Sequence, residues 1–241
     1  SSITNFASDW VLRIISEFKF MIKMSFFRLL ILIITSFGVF VTNSSQASEN
    51  HIREPHSILI LGDSLSASYG MKENQGWVYQ LNQALKQHKS PYTLINASIS
   101  GETTAGALTR LPRILANKKT DYLLVELGGN DGLRGFPPSL IKNNLLQIIQ
   151  LAQQKGIKVL LMDIKIPPNY GTRYNKLFNQ TFTNVANISD ISLLPFFMES
   201  IAIQPELMQT DGIHPNIKAQ PLIVTFMKQQ LDSLITLSLH K

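Results

Sequence analysis

From Ser57 onward, short apolar runs alternate with longer stretches in which apolar residues recur at helical spacing. The runs are 58–61 (ILIL), 93–96 (TLIN), 122–127 (YLLVEL), 158–163 (KVLLMD) and 191–195 (ISLLP). Runs of this length, rich in Ile, Val and Leu and followed by turn residues, predict buried strands. Helical patterns fall between them near 76–88, 103–117, 138–155 and 172–187, with a last one at 216–238. Five strands interleaved with helices predict an α/β domain. Its five-stranded parallel sheet is covered on both faces, giving three layers, α/β/α. No repeat, low-complexity segment or linker divides the stretch. Two loops stand out, at Pro137-Pro138 and at Pro167-Pro168-Asn169-Tyr170-Gly171, both after strands and on the side where open α/β sheets bind ligands.

Upstream the pattern changes. Residues 29–41 (LLILIITSFGVFV) carry no charge over 13 positions and follow Lys23 and Arg28. A membrane-spanning helix needs about 20 such residues, whereas the apolar region of a secretory signal needs roughly 7–15. Ser45-Gln46-Ala47 supplies a small-x-small cleavage signal before Ser48. The expectation is a leader and secretory signal peptide over 1–47, removed near Ala47-Ser48, and a single domain over 48–241 in the periplasm or outside the cell. An uncleaved N-terminal anchor is the alternative. Residues 1–20 are unusual ahead of a signal, and Met21 or Met24 is the expected true start.

Composition narrows the chemistry. The chain has 241 residues, 44% hydrophobic and 16% charged, enough for a sizeable core. It has no cysteine, which excludes disulfides, thiolate metal sites, a cysteine nucleophile and a lipid-modified cysteine. The net charge of +6 is not gathered into a basic block, and no nucleic-acid partner is expected. The chain lacks G-x-x-x-x-G-K-[ST], G-x-G-x-x-G and the G-x-S-x-G elbow, Ser66 standing where the elbow's second glycine would be. No metal and no cofactor is expected.

Three motifs follow the first three strands: Gly62-Asp63-Ser64, Ser98-Ile99-Ser100-Gly101 and Gly128-Gly129-Asn130-Asp131. In a parallel sheet those strand ends share one edge, so the loops meet. Ser64 is expected at a strand-to-helix turn, where backbone N–H groups favour developing negative charge. Asp63 and Ser64 acting only as helix caps is the alternative. Far along the chain comes Asp211-Gly212-Ile213-His214-Pro215. A carboxylate three residues before a histidine can hold its Nδ1–H and leave Nε2 free to take a proton. The histidines at 51, 56, 88 and 240 have no comparable partner.

With these blocks in place the sequence resembles the SGNH, or GDSL, hydrolases, through Gly62-Asp63-Ser64-Leu65, Gly101, Gly128-Gly129-Asn130-Asp131 and Asp211-Gly212-Ile213-His214. LILGDSLSASYGM, NASISGETT, VELGGNDGLRGF, PPNYGTRYN, LLPFFME and DGIHPN resemble one branch, the bacterial thioesterase I/lysophospholipase/arylesterase group. The resemblance implies a flavodoxin-like three-layer fold and hydrolysis of aryl esters, lysophospholipids and acyl thioesters. It makes Ser64 the nucleophile, His214 the base and then acid, and Asp211 the residue that orients His214. The oxyanion would be held by the N–H groups of Ser64 and Gly101 and the side-chain amide of Asn130. Asp63 and Asp131 are expected to be structural. The apolar content of the loops 133–138 and 166–170 suits an acyl chain lying over the sheet edge, with plain loop packing the alternative, and Met71 and Trp77 are read as core instead of lining. The partner is then a small acyl ester or lipid, and the protein a monomer with at most transient contact with a membrane surface. A carbohydrate or peptidoglycan O-acetylesterase and a non-catalytic lipid binder are the rival readings.

Overall fold

The computed structural model describes residues 56–238, with side chains as far as residue 233. The expected leader, signal peptide and Ala47-Ser48 junction lie outside the described residues. The five apolar runs form β1 (His56–Gly62), β2 (Tyr92–Asn96), β3 (Tyr122–Glu126), β4 (Lys158–Met162) and β5 (Ser192–Leu194). All pair in parallel, in the order β2-β1-β3-β4-β5. The chain steps outward from β1 to β2, then crosses back to β3 on the other side of β1. That reversal opens a crevice at the carboxyl ends of β1 and β3, where doubly wound sheets bind their ligands.

The described residues hold six α-helices: α1 (Trp77–Gln87), α2 (Thr104–Asn117), α3 (Gly129–Leu133), α4 (Pro138–Gln153), α5 (Thr172–Ser189) and α6 (Gln220–Ser238). α1 packs with α6, while α2, α4 and α5 pack side by side, and right-handed crossovers put the two groups on opposite faces. The three expected layers are therefore present. The longer helices turn an apolar face inward, as α4 does with Ile141, Leu145, Ile148, Ile149 and Ala152. Thr103 starts α2 by accepting a hydrogen bond from Gly106 N–H at 3.2 Å. The central strands β1 and β3 are buried on both faces, Leu59, Leu61, Leu123 and Val125 filling one and Ile58, Ile60 and Leu124 the other. Each such side chain stabilises the fold by roughly 1.5–3 kcal/mol over exposure.

One local expectation is corrected. No helix begins at Ser64; residues 64–70 form a run of turns, and regular helix resumes only at Trp77. Ala67 N–H does reach Asp63 O at 3.0 Å in a single helical turn, but Ser68 then adopts φ +59° and Gly70 φ +72°, which a right-handed helix excludes. Ser68 is buried, and a Cβ on Gly76 would strike its Oγ at 1.9 Å, so the segment is folded back onto the start of α1.

Candidate active site

Gly62 closes β1 against a crowded neighbour: a Cβ there would lie 2.6 Å from Glu126 Oε2 and 2.9 Å from Ser98 Oγ. The next residue, Asp63, is 4% exposed, and its Oδ1 accepts Leu65 N–H at 3.0 Å, forming the turn on which Ser64 sits. The second loop ends at Gly101, whose φ of +78° suits glycine and around which a Cβ would meet nothing within 4 Å. Its approach is open to a ligand. The third loop turns at Gly128 (φ +112°) into the short helix α3, which carries Asn130 and Asp131.

Asp131 is fully buried and clasps the start of α2, accepting from Thr104 N at 2.9 Å and from Thr104 Oγ1 at 2.6 Å. Asn144 Nδ2 donates in turn to Thr104 Oγ1 at 3.0 Å. Asp131 thus locks the Gly101 loop to the Asn130 loop, as a structural role requires. Asn130 Nδ2 donates to Asp63 Oδ2 at 3.1 Å and to the Glu102 carbonyl at 3.0 Å. Its amide nitrogen therefore bridges the residue before Ser64 and the residue after Gly101. The three strand-end loops expected to meet do so here.

The fourth segment is held from within. Met208 and Pro215 form an antiparallel bridge, and Gln209 N–H donates to His214 O at 2.8 Å. Asp211 Oδ1 accepts from Ile213 N at 2.9 Å and His214 N at 3.0 Å, leaving Oδ2 at 2.7 Å from His214 Nδ1. His214 Nε2 lies 2.8 Å from Ser64 Oγ. Tyr69 packs its ring on the imidazole, with centroids 4.2 Å apart, and Gln209 Nε2 ties the loop to the Tyr69 carbonyl at 2.8 Å. Burial alone would raise the Asp211 carboxyl. The N–H donors of His214 and Ile213 and the imidazole beside it outweigh that and carry it down to about 2. Asp211 is thus a carboxylate at any pH where His214 could act as a base.

On the other side of Ser64 the electrostatics reverse. Glu126, the last residue of β3, is fully buried beneath the turn, where Oε2 accepts from Ser66 Oγ at 2.8 Å and Asp63 N at 3.3 Å. Burial, and then the neighbouring Asp63 charge, raise its carboxyl well above the ordinary glutamate range. Burial likewise pushes Asp63 up to about 6, against the pull of Leu65 N–H, Glu126, His214 and Asn130. Sequence reasoning did not single out Glu126. The available signal was an acidic residue closing an otherwise apolar strand, YLLVE.

Ser64, Asn130 and His214 open onto a cavity of about 560 Å³ walled mainly by apolar side chains. Leu133, Ile166, Pro167 and Pro168 line it, but residues 134–138 and 169–170 do not. Tyr170 and Tyr174 instead bond their hydroxyls to the carbonyls of Leu133 and Phe136, tying the two loops together. A third wall was unexpected: Phe196, Met198, Ala202, Ile203 and Met208 come from the turns after β5. Met71 and Trp77 are absent from the lining, and Trp77 is core. Among the described residues no group of three or more His, Cys, Asp or Glu side chains could hold a metal ion.

Comparison with known proteins adds four findings. Residues 60–220 match the GDSL-like Lipase/Acylhydrolase family. The chain is 45% identical over 188 residues to an arylesterase of Vibrio mimicus, covering 78% of this chain and 90% of that one. It is 46% identical over 179 residues to thioesterase 1/protease 1/lysophospholipase L1 of Escherichia coli K12, covering 74% and 85%. Among solved structures, the psychrotrophic esterase EstA from Pseudoalteromonas sp., inhibited by monoethylphosphonate, superposes with a TM-score of 0.74 at 45% identity over 75% of this chain and 99% of that one.

Proposed function

The chain belongs to the GDSL-like lipase/acylhydrolase family, and we propose that it hydrolyses carboxylic acyl esters through an acyl-enzyme on Ser64. The observation that carries the reading is a continuous line of contacts. It runs from Asp211 Oδ2 to His214 Nδ1 at 2.7 Å and from Nε2 to Ser64 Oγ at 2.8 Å, and it ends at an apolar cavity. In the proposed reaction His214 takes the Ser64 proton as Oγ attacks the acyl carbon, and Asp211 stabilises the imidazolium and fixes its tautomer. The tetrahedral oxyanion is met by the N–H groups of Ser64 and Gly101 and by Asn130 Nδ2. In the free site both Asn130 N–H groups are engaged, so one turns from its resting acceptor, or is shared, as the charge develops. His214 then protonates the leaving alkoxide or thiolate. Water, deprotonated by the same imidazole, releases the acid and restores Ser64.

The apolar walls favour an acyl chain over a sugar, which supports aryl esters, lysophospholipids and acyl thioesters ahead of acetylated carbohydrate. A panel of those four substrate classes, run on wild type and Ser64→Ala, tests the reading. Turnover of the acyl substrates that vanishes in the variant supports it; preference for acetylated sugars, or an active variant, overturns it. We further propose that residues 1–47 are removed, leaving 48–241 as a monomeric extracytoplasmic domain. Intact-mass measurement of exported protein should find an N-terminus at Ser48, and a retained full-length product would contradict this.

A further inference from the structure

Two carboxyls that take no part in the proposed reaction lie buried together directly beneath the nucleophile's turn. Glu126 is 0% and Asp63 4% exposed, and among the described residues no Lys or Arg forms an ion pair with either. Two adjacent carboxylates without a cation are costly in such a place, since each charge is desolvated and repels the other. The hydrogen bonds distinguish the two groups. Asp63 has donors on both oxygens, Leu65 N–H on Oδ1 and Asn130 Nδ2 on Oδ2. Glu126 has both of its donors on Oε2, while Oε1 is buried without a partner. A carboxylate oxygen with no donor is a poor place for charge, whereas a protonated Glu126 can donate its O–H to the adjacent Asp63 carboxylate through the side-chain hydrogen bond that links the two groups. The charge belongs on Asp63 and the proton on Glu126. The raised position of both groups agrees, Glu126 standing well above its ordinary range.

Where Asp63 carries charge, the orientation of Asn130 follows. Its amide nitrogen faces Asp63 Oδ2 and the Glu102 carbonyl, both acceptors. A flipped amide would place its oxygen against a carboxylate and a carbonyl, so this flip is excluded while Asp63 is ionised. Gly62 preserves the arrangement, because any side chain there would strike Glu126 Oε2. We propose that Glu126 is a positioning residue, held as the neutral acid, which seats the Asp63 carboxylate so that Asn130 presents its nitrogen to the oxyanion. The inference rests on the proposed role of Asn130. The titratable groups facing the pair are each other and, across the cleft, His214, whose charge reaches Asp63.

A double-mutant cycle on the full-length chain tests it, read as kcat and KM on one soluble aryl ester. Glu126→Gln keeps a neutral, hydrogen-bonding group of the same shape and should hold kcat within about fivefold, the scale of one neutral hydrogen bond. Glu126→Ala strands Ser66 Oγ and should lower kcat about 10²-fold with KM little changed, as a misplaced donor does. In an Asn130→Ala background the same Glu126→Ala change should add almost nothing. Infrared difference spectra at neutral pH should show a protonated-carboxyl stretch in wild type that Glu126→Gln lacks. Additive losses in the cycle, a Glu126→Gln enzyme as damaged as the alanine variant, or no such stretch would each overturn the inference. If Glu126→Ala does not fold, the glutamine variant and the spectrum decide. A failure of the underlying reading looks different: Asn130→Ala alone would then leave kcat unchanged.

Discussion

On the sheet side of Ser64, Asp63 and Glu126 lie buried with their carboxyls pushed upward. On the far side Asp211, with 35% of its side chain exposed, is carried down to about 2. All three are acids within a few residues of one cleft, and their surroundings divide them. The buried pair is walled by β1, β3 and the turn that follows β1, where desolvation dominates. Asp211 sits on a loop where two backbone N–H groups and an imidazole converge on it. Pairs of titratable groups whose environments drive them apart mark the division of labour in an active site. Here the exposed acid is equipped to carry charge against His214, and the buried acids are equipped to hold geometry. The contrast also separates two ways of building a site: a rigid floor of strand ends, and a self-bonded loop laid over it.

The contrast breaks most visibly at Asp211. In Asp211→Asn the side-chain oxygen can keep the Ile213 and His214 N–H groups, which turns the amide NH₂ toward Nδ1 and favours a proton on Nε2, the wrong nitrogen. kcat should fall by between ~10² and ~10⁴. The acid limb of the kcat/KM pH profile should move to lower pH, because the imidazolium has lost its anionic partner. Near-normal activity with an unmoved limb would leave a Ser64–His214 dyad and remove Asp211 from the account.

Asn130 probes the floor instead of the loop. Asn130→Ala should lower kcat by about 10²–10³ with KM nearly unchanged, since its amide is asked to act on the transition state. A raised KM at constant kcat would make it a ground-state contact.

The smallest effect sharpens the comparison through stability. A carboxyl raised in the folded state keeps its proton after the unfolded chain has lost it, so its contribution falls as pH rises. For Asp63 that decline runs from the ordinary aspartate range up to about 6, and for Glu126 from the ordinary glutamate range toward its higher value. Asp211 has the opposite sign: its stabilisation is present above the ordinary aspartate range and is lost as pH falls through about 2. Thermal unfolding between pH ~5 and ~8 should therefore show Glu126→Gln gaining on wild type as pH rises, because the variant has no proton to lose there. Parallel Tm curves would mean that Glu126 ionises normally in the fold.

The sequence disclosed the floor of the site more readily than its upper walls. Strand boundaries appeared within two residues because β-branched and leucine runs have few other ways to be buried, and the three motifs followed from strand order alone. Asp211 and His214 were legible because a three-residue spacing is a local geometric fact. Glu126 escaped because its meaning depends on Asp63, 63 positions earlier, and only the β1–β3 register brings them together. The wall formed by Phe196, Met198 and Ile203 escaped too, since turns after a three-residue strand carry no periodicity. The helix expected at Ser64 failed at Ser68, whose left-handed backbone ends the turn and whose side chain lies against Gly76, a contact between residues eight apart that no helical periodicity signals.

Ser64 carries the whole proposed reaction, and covalent labelling reaches it most directly. An organophosphonate should modify the wild-type chain once, and peptide mapping should place the adduct on Ser64, while Ser64→Ala stays folded, takes no label and loses about 10⁴–10⁶ in kcat. A label on Ser66 or Ser98, or a Ser64→Ala enzyme that turns over esters at the wild-type rate, would contradict the account.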